Sequence, residues 1–243
     1  MAVELKIVYP TVTLTLSINS WKETTPSRID EIVMPRRHGA KFEYDAKLAT
    51  RTFSLEGILR DTTAANLRTK LDDLVQKLNY YGKGKLYLHS DRYWEVAKDN
   101  LDYNYRPGLV SLAYVLSLKA DPLAFDNAAS QATETCTGNK TFSKTIGGTA
   151  KNWPTITIAI TAAGCTGVKL TNSTESKYWK YDAAIANGQS LVIDGEQKTC
   201  NNGGVADLAH FKGEFWELVV GNNSFNYEGV ACVITFDYRG RFF

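Results

Sequence analysis

The chain has 243 residues, 44% hydrophobic and 22% charged, with 28 Lys+Arg against 26 Asp+Glu for a net charge of +2. That length holds one large or two ordinary domains, and that composition excludes a disordered or collagen-like chain. The near-balanced charge argues against nucleic-acid binding by phosphate neutralisation, and no apolar run is long enough to span a bilayer. The opening residues MAVELKIVYP lack the charged, apolar and small-residue regions of a signal peptide, so folding in a cytoplasm is expected.

Val12, Leu14, Leu16 and Ile18 alternate with Thr13, Thr15 and Ser17, which predicts a half-buried strand. Arg36-Arg37-His38 follows as a short basic cluster in a Pro/Gly loop, either solvated or part of an interface. A second alternating strand is predicted over 51–59, through Phe53, Leu55 and Gly57. Leu67, Leu71, Leu74, Val75 and Leu78 then form one apolar stripe at helical spacing. Asp61, Thr62 or Thr63 supplies the N-cap oxygen, and Tyr80-Tyr81-Gly82-Lys83-Gly84 is a glycine stop. Residues 85–89 and 93–96 read as a hairpin around Ser90-Asp91-Arg92. Leu109 to Leu118 is a long apolar strand, closed by Asp121-Pro122.

Near residue 128 the composition shifts. Thirteen of the eighteen glycines and all four cysteines lie beyond it. The seam from Asp126 to Thr133 is small and polar, as linkers are, so the expected domains are 1–128 and 129–243. The second part offers strands at 154–160, 190–194, 215–219 and 230–236, punctuated by Asp194-Gly195, Asn201-Asn202-Gly203-Gly204 and Gly221-Asn222-Asn223. Many short strands with no convincing helix argue an antiparallel sandwich. The fold class is therefore mainly β with one helix.

Sites of chemistry are sparse. His38, His89 and His210 have no HExxH context, and no serine sits in a G-x-S-x-G elbow. Gly82-Lys83-Gly84-Lys85 follows a helix instead of opening one, so it is not a phosphate loop. Asp72-Asp73 lie back to back on the helix and do not converge. Cys136, Cys165, Cys200 and Cys232 form no CxxC pair. They are expected as buried reduced thiols, with a disulfide between sheets as the alternative after release from a cell. No enzyme activity, cofactor or metal is expected. Tyr178-Trp179-Lys180-Tyr181 is an aromatic cluster that serves either the core or subunit contact or, through Tyr178 and Trp179, a glycan.

The order of elements resembles the distal tail protein family of long-tailed bacteriophages. The N-terminal part matches in its Gly57-ended strand, its leucine helix and Asp121-Pro122-Leu123-Ala124-Phe125 after a long strand. The C-terminal part matches through Trp153-Pro154-Thr155-Ile156, Gly188-Gln189-Ser190-Leu191-Val192-Ile193-Asp194, Gly213 to Asn223, and Tyr238-Arg239-Gly240-Arg241-Phe242. The resemblance implies an N-terminal β-sandwich with one packed α-helix, closing into a hexameric ring. It implies a C-terminal galectin-like or carbohydrate-module-like sandwich pointing outwards. It also implies a structural role at the virion tail tip after assembly in the host cytoplasm. The implied partners are further copies of the chain, the tail tube protein, the tail hub or tip protein, and receptor-binding or other baseplate proteins. The genome would pass through the channel without specific binding. Arg36, Arg37 and His38 are then candidates for the ring interface. The alternative reading is a carbohydrate-binding sandwich that contacts a host saccharide during adsorption.

Overall fold

The computed structural model describes residues 3–24, 27–33, 40–162 and 164–243, with side chains described over 5–24, 49–162 and 164–243. The chain divides into two units, Met1–Ala124 and Phe125–Phe243.

The first unit contains β1 (Val3–Val8), β2 (Thr13–Thr24), β3 (Ser27–Val33), β4 (Ala40–Leu48), β5 (Arg51–Arg60), α1 (Ala64–Tyr80), β6 (Lys83–Tyr87), β7 (Arg92–Tyr103) and β8 (Ser111–Ala120). Six strands pair in the order β7-β6-β1-β2-β5-β8, and β7 pairs with β8 as well. The sheet thus folds over on itself and joins its own edges, so the expected sandwich is realised with its two open sides sealed. Period-two alternation drives this. Leu14, Leu16 and Ile18 on β2, Phe53 and Leu55 on β5, and Leu112, Leu116 and Leu118 on β8 are buried, while their neighbours in sequence are not. Each buried side chain contributes about 1.5–3 kcal/mol over leaving it exposed.

Helix α1 starts at Thr63, whose hydroxyl accepts from the Asn66 N–H at 3.2 Å. Gly82 follows its C-cap at φ +63°, the left-handed conformation that glycine adopts at least cost. The stripe Leu67, Leu71, Leu74 and Leu78 is buried, with Leu67 and Leu71 packed on Leu112. Asp72 and Asp73 stay on the solvent face, within reach of Arg68 and Lys77 respectively.

Strands β3 and β4 form a separate antiparallel ribbon, with Ser27 opposite Leu48 and Val33 opposite Ala40. Along the sequence it continues the β2–β5 ladder, whose last pair is Thr24 with Thr52. Residues 34–39, and with them the candidate interface residues Arg36, Arg37 and His38, lie outside the described residues.

The second unit follows β9 (Ala124–Asp126) and contains β10 (Ser130–Cys136), β11 (Lys140–Ile146), β12 (Thr155–Ile160), β13 (Gly164–Cys165), β14 (Val168–Asn172), β15 (Lys177–Tyr181), β16 (Ile185–Ala186), β17 (Ser190–Asp194), β18 (Thr199–Asn202), β19 (Val205–Ala206), β20 (Phe211–Gly213), β21 (Gly221–Glu228), β22 (Cys232–Tyr238) and β23 (Arg241–Phe242). A six-stranded sheet, β10-β22-β12-β17-β18-β19, faces a five-stranded one, β11-β21-β14-β15-β20. Ile156, Ile158, Leu191, Ile193, Ile234 and Phe236 from the first sheet meet Leu170, Trp179, Tyr181, Phe225 and Tyr227 from the second in one core. Phe225 and Phe236 stack across it at 4.8 Å between ring centroids. The last long strand, β22, runs between β10 and β12 and so closes this unit.

Two local expectations change. Residues 215–219 are not a ladder strand: only Leu218 bridges, to Asn152, while Trp216 and Leu218 anchor the segment in the core. The ladder begins instead at Gly221, at φ +88°. The polar seam is not a free linker either. The Asp126 N–H donates to the Gly240 carbonyl at 2.9 Å, and Arg239 Nη1 donates to the carbonyls of Asp126 and Asn127.

Candidate functional site

Strand β15 decides the fate of the aromatic cluster. Alternation sends Trp179 and Tyr181 into the core, at 1% and 0% exposure, and leaves Tyr178 outside at 50%. Trp179 is therefore not available to a glycan, which corrects the expectation for that residue. The large indole fills the space between the two sheets, and only Tyr178 is presented to solvent.

Register lines Tyr178 up with other outward-facing groups of the five-stranded sheet. Thr171 stands opposite Tyr178, Asn226 opposite Thr171, and Thr141 opposite Asn226. Thr141 Oγ1 donates to Asn226 Oδ1 at 3.3 Å. Beside the row, Lys169 Nζ lies 5.6 Å from the Tyr178 ring centroid and 2.7 Å from Glu228. A row of hydrogen-bonding side chains ending on an exposed ring has the chemistry to stack a sugar face and meet its hydroxyls.

His210 belongs to a different network. Its Nδ1 lies 2.7 Å from Asp207 Oδ1, and Tyr181 Oη donates to Asp207 Oδ2 at 2.6 Å. Asn202 Nδ2 donates to Tyr181 Oη at 3.0 Å. Hydrogen bonds from Tyr181 and then His210 hold the Asp207 carboxyl below the usual carboxylate range. Burial, reinforced by Asp207, pushes the Tyr181 phenol up to about 12. The network pins the exposed 203–210 loop to the core through one buried ring. Within that loop Gly203 and Gly204 both have positive φ, as a two-residue hairpin of this kind requires.

In the first unit the glycine-lysine segment has a packing explanation. A Cβ on Gly84 would fall 2.8 Å from Ile7 and from Tyr9. Gly57 is more constrained, since a Cβ there would lie 2.3 Å from the ring of Tyr114, its cross-strand partner. The Tyr114 hydroxyl is buried with no hydrogen-bond partner among the described residues, and burial raises its pKa to about 12. Outside this pair lies a groove of about 340 Å³, lined by Glu56, Ile58, Asp102, Tyr103 and Val115 among others.

The buried asparagines of the second unit escaped sequence reasoning. Asn223 is fully buried; it accepts from the Val219 N–H at 3.0 Å and donates to the Val219 and Gly221 carbonyls. Asn172 accepts from the N–H groups of Thr174 and Glu175. An asparagine at the edge of a glycine- or serine-rich turn is the available signal, but it does not say which asparagine points inward.

Residues 147–242 match a protein-family model described as siphovirus-type tail component, C-terminal domain. Among solved structures, the Dit (gp 19.1) protein of SPP1, described as a paradigm of the hub adsorption apparatus in Gram-positive infecting phages, is similar over 98% of this chain and 99% of that one. The identity is 14% and the TM-score 0.77, a likeness of fold. None of the curated proteins matches the sequence.

Proposed function

We propose that the chain is a Dit-type siphovirus tail component, a reading supported by the family match over residues 147–242 and the likeness of fold, and that it forms a hexameric ring at the tail tip. In this reading the ring joins the tail tube to the hub, and the outward sandwich units hold receptor-binding or other baseplate proteins. The role is structural and non-catalytic, and the genome passes through the ring without specific contacts.

The β3–β4 ribbon carries this reading. Two-stranded ribbons are marginal in water and need a covering layer. Among the described residues the ribbon has no third strand on either edge. The sequence of β4 alternates, with Phe42, Tyr44, Ala46 and Leu48 on one parity and Lys41, Glu43, Asp45 and Lys47 on the other. A ring uses one repeated contact between two different faces of each copy. A two-stranded ribbon whose longer strand alternates is a candidate for one such face, with a neighbouring copy as the layer that covers it.

Negative-stain electron microscopy of the purified chain tests the reading: six-fold rings are expected, and fields of single particles without symmetry would count against it. The exposed Tyr178 beside Thr171 and Asn226 favours a second reading, saccharide contact by the outward sandwich. A glycan array should then give binding that Tyr178→Ala abolishes, and no signal with the intact chain would remove this reading.

A further inference from the structure

Three of the four cysteines are buried, and the ladder places two of them face to face. Cys136 is the last residue of β10 and Cys232 the first of β22, and the register pairs them directly. Directly opposed residues of an antiparallel pair have Cα atoms about 4.5 or about 5.5 Å apart. Both distances fall inside the range of about 4.4–6.8 Å that a disulfide spans. Each thiol also feels the other as a hydrogen-bonding neighbour. Opposed Cβ atoms of such a pair lie about 4.5–5.5 Å apart, at the outer edge of the ~3.5–4.5 Å that a disulfide takes, so closing the bond needs a small local approach of the two strands.

We propose that Cys136 and Cys232 are a latent cross-strand disulfide, closed when the chain passes from a reducing cytoplasm to an oxidising medium. The oxidant is a small disulfide such as oxidised glutathione. A Cys136 or Cys232 thiolate attacks one of its sulfurs, giving a mixed disulfide and releasing one glutathione thiolate. The second cysteine, losing its proton, then attacks the protein sulfur of that bond and displaces the second glutathione. Two protein thiols are oxidised, one glutathione disulfide is reduced to two thiols, and two protons leave the protein.

The position gives the bond a purpose. β10 is an edge strand of its sheet, held on one side only by β22. It is also the strand through which the second unit is entered from the preceding segment. A staple at its far end fixes the edge strand to β22, its one neighbour in the sheet. Burial makes the switch slow, because it pushes the Cys232 thiol up to about 12 and raises that of Cys136, so little thiolate is present. Closure therefore waits on fraying of the β10 end, which suits a bond made over the life of a particle in the medium and not during folding.

The experiment incubates the full chain with oxidised glutathione at pH 8 and follows free thiols after denaturation. The expected count falls from four to two, peptide mass mapping joins the peptides holding 136 and 232, and the melting temperature rises by several degrees and reverts with dithiothreitol. Cys136→Ser should keep three thiols through the same treatment, whereas Cys200→Ser should still close the bond. Four thiols after prolonged oxidation would overturn the proposal. So would a bond from Cys165 or Cys200, or a mapped 136–232 bond that leaves the melting temperature unchanged.

Discussion

The first unit joins β7 to β8 and seals its sheet, whereas each sheet of the second keeps two edges, one seven residues long (β10, β11) and one of only two or three (β19, β20). Closure, and shortness at one edge of each sheet, are two answers to the same hazard, that an unpaired edge recruits another chain. The exception in the first unit is instructive. Its β3–β4 ribbon runs seven and nine residues with no third strand among the described residues. In the ring proposed above, a neighbouring copy would complete that ladder.

The largest effect that would sharpen this comparison is in the sandwich core. Trp179→Ala should cost about 3–5 kcal/mol and unfold the second unit first, while Tyr178→Ala should leave the melting temperature within a degree or two. Equal losses at both positions would break the inward and outward assignment of β15. In the sealed unit, Gly57→Ala should cost about 1–3 kcal/mol, because its Cβ drives into the Tyr114 ring. Pairing it with Tyr114→Leu should recover part of that loss in denaturant titrations, and strict additivity would argue against the contact.

Asn223→Ala comes next, at about 1–3 kcal/mol, since the buried amide is the partner of both the N–H and the carbonyl of half-buried Val219. Thr63→Ala should cost about 1 kcal/mol through the lost helix cap and should affect the first unit only. The smallest effect is on acid stability. Lys180 and then Lys212 hold the Asp182 carboxyl down at about 2, against an ordinary 3.8. A depressed carboxyl adds stability that is present above 3.8 and lost as pH falls towards about 2. Thermal melts of Asp182→Asn should therefore differ from the parent at pH 6 and converge with it near pH 2.

Much of the first unit was legible because its physics is local. Alternation marked β2 and β5, a leucine stripe marked α1, and its ends were marked by Asp61, Thr62 or Thr63, of which Thr63 is the cap, and by the stop at 80–84. Sheet closure was not legible, since nothing local says that β7 meets β8 as well as β6. In the second unit the alternation of β12 and β17 was readable, yet 215–219 looked like a strand because Phe215, Trp216, Leu218 and Val219 are strand-forming residues. Those side chains anchor a segment that makes a single bridge, and its buried Asn223 turn outweighs propensity there. For the same reason the two glycan candidates divide, Trp179 buried and Tyr178 exposed. Sequence shows that Tyr178 and Trp179 point to opposite faces, but only the packed second sheet shows which face is wet. The seam at 126–133 looked like a linker because Arg239, more than a hundred residues away, is what ties it down.

The most direct test of the central claim is the solution mass of the full chain, by light scattering coupled to size exclusion over a hundredfold range of concentration. A ring predicts a plateau near ~162 kDa, six times the 27.0 kDa chain, or twice that for stacked rings. A constant mass of one chain across the whole range would contradict it.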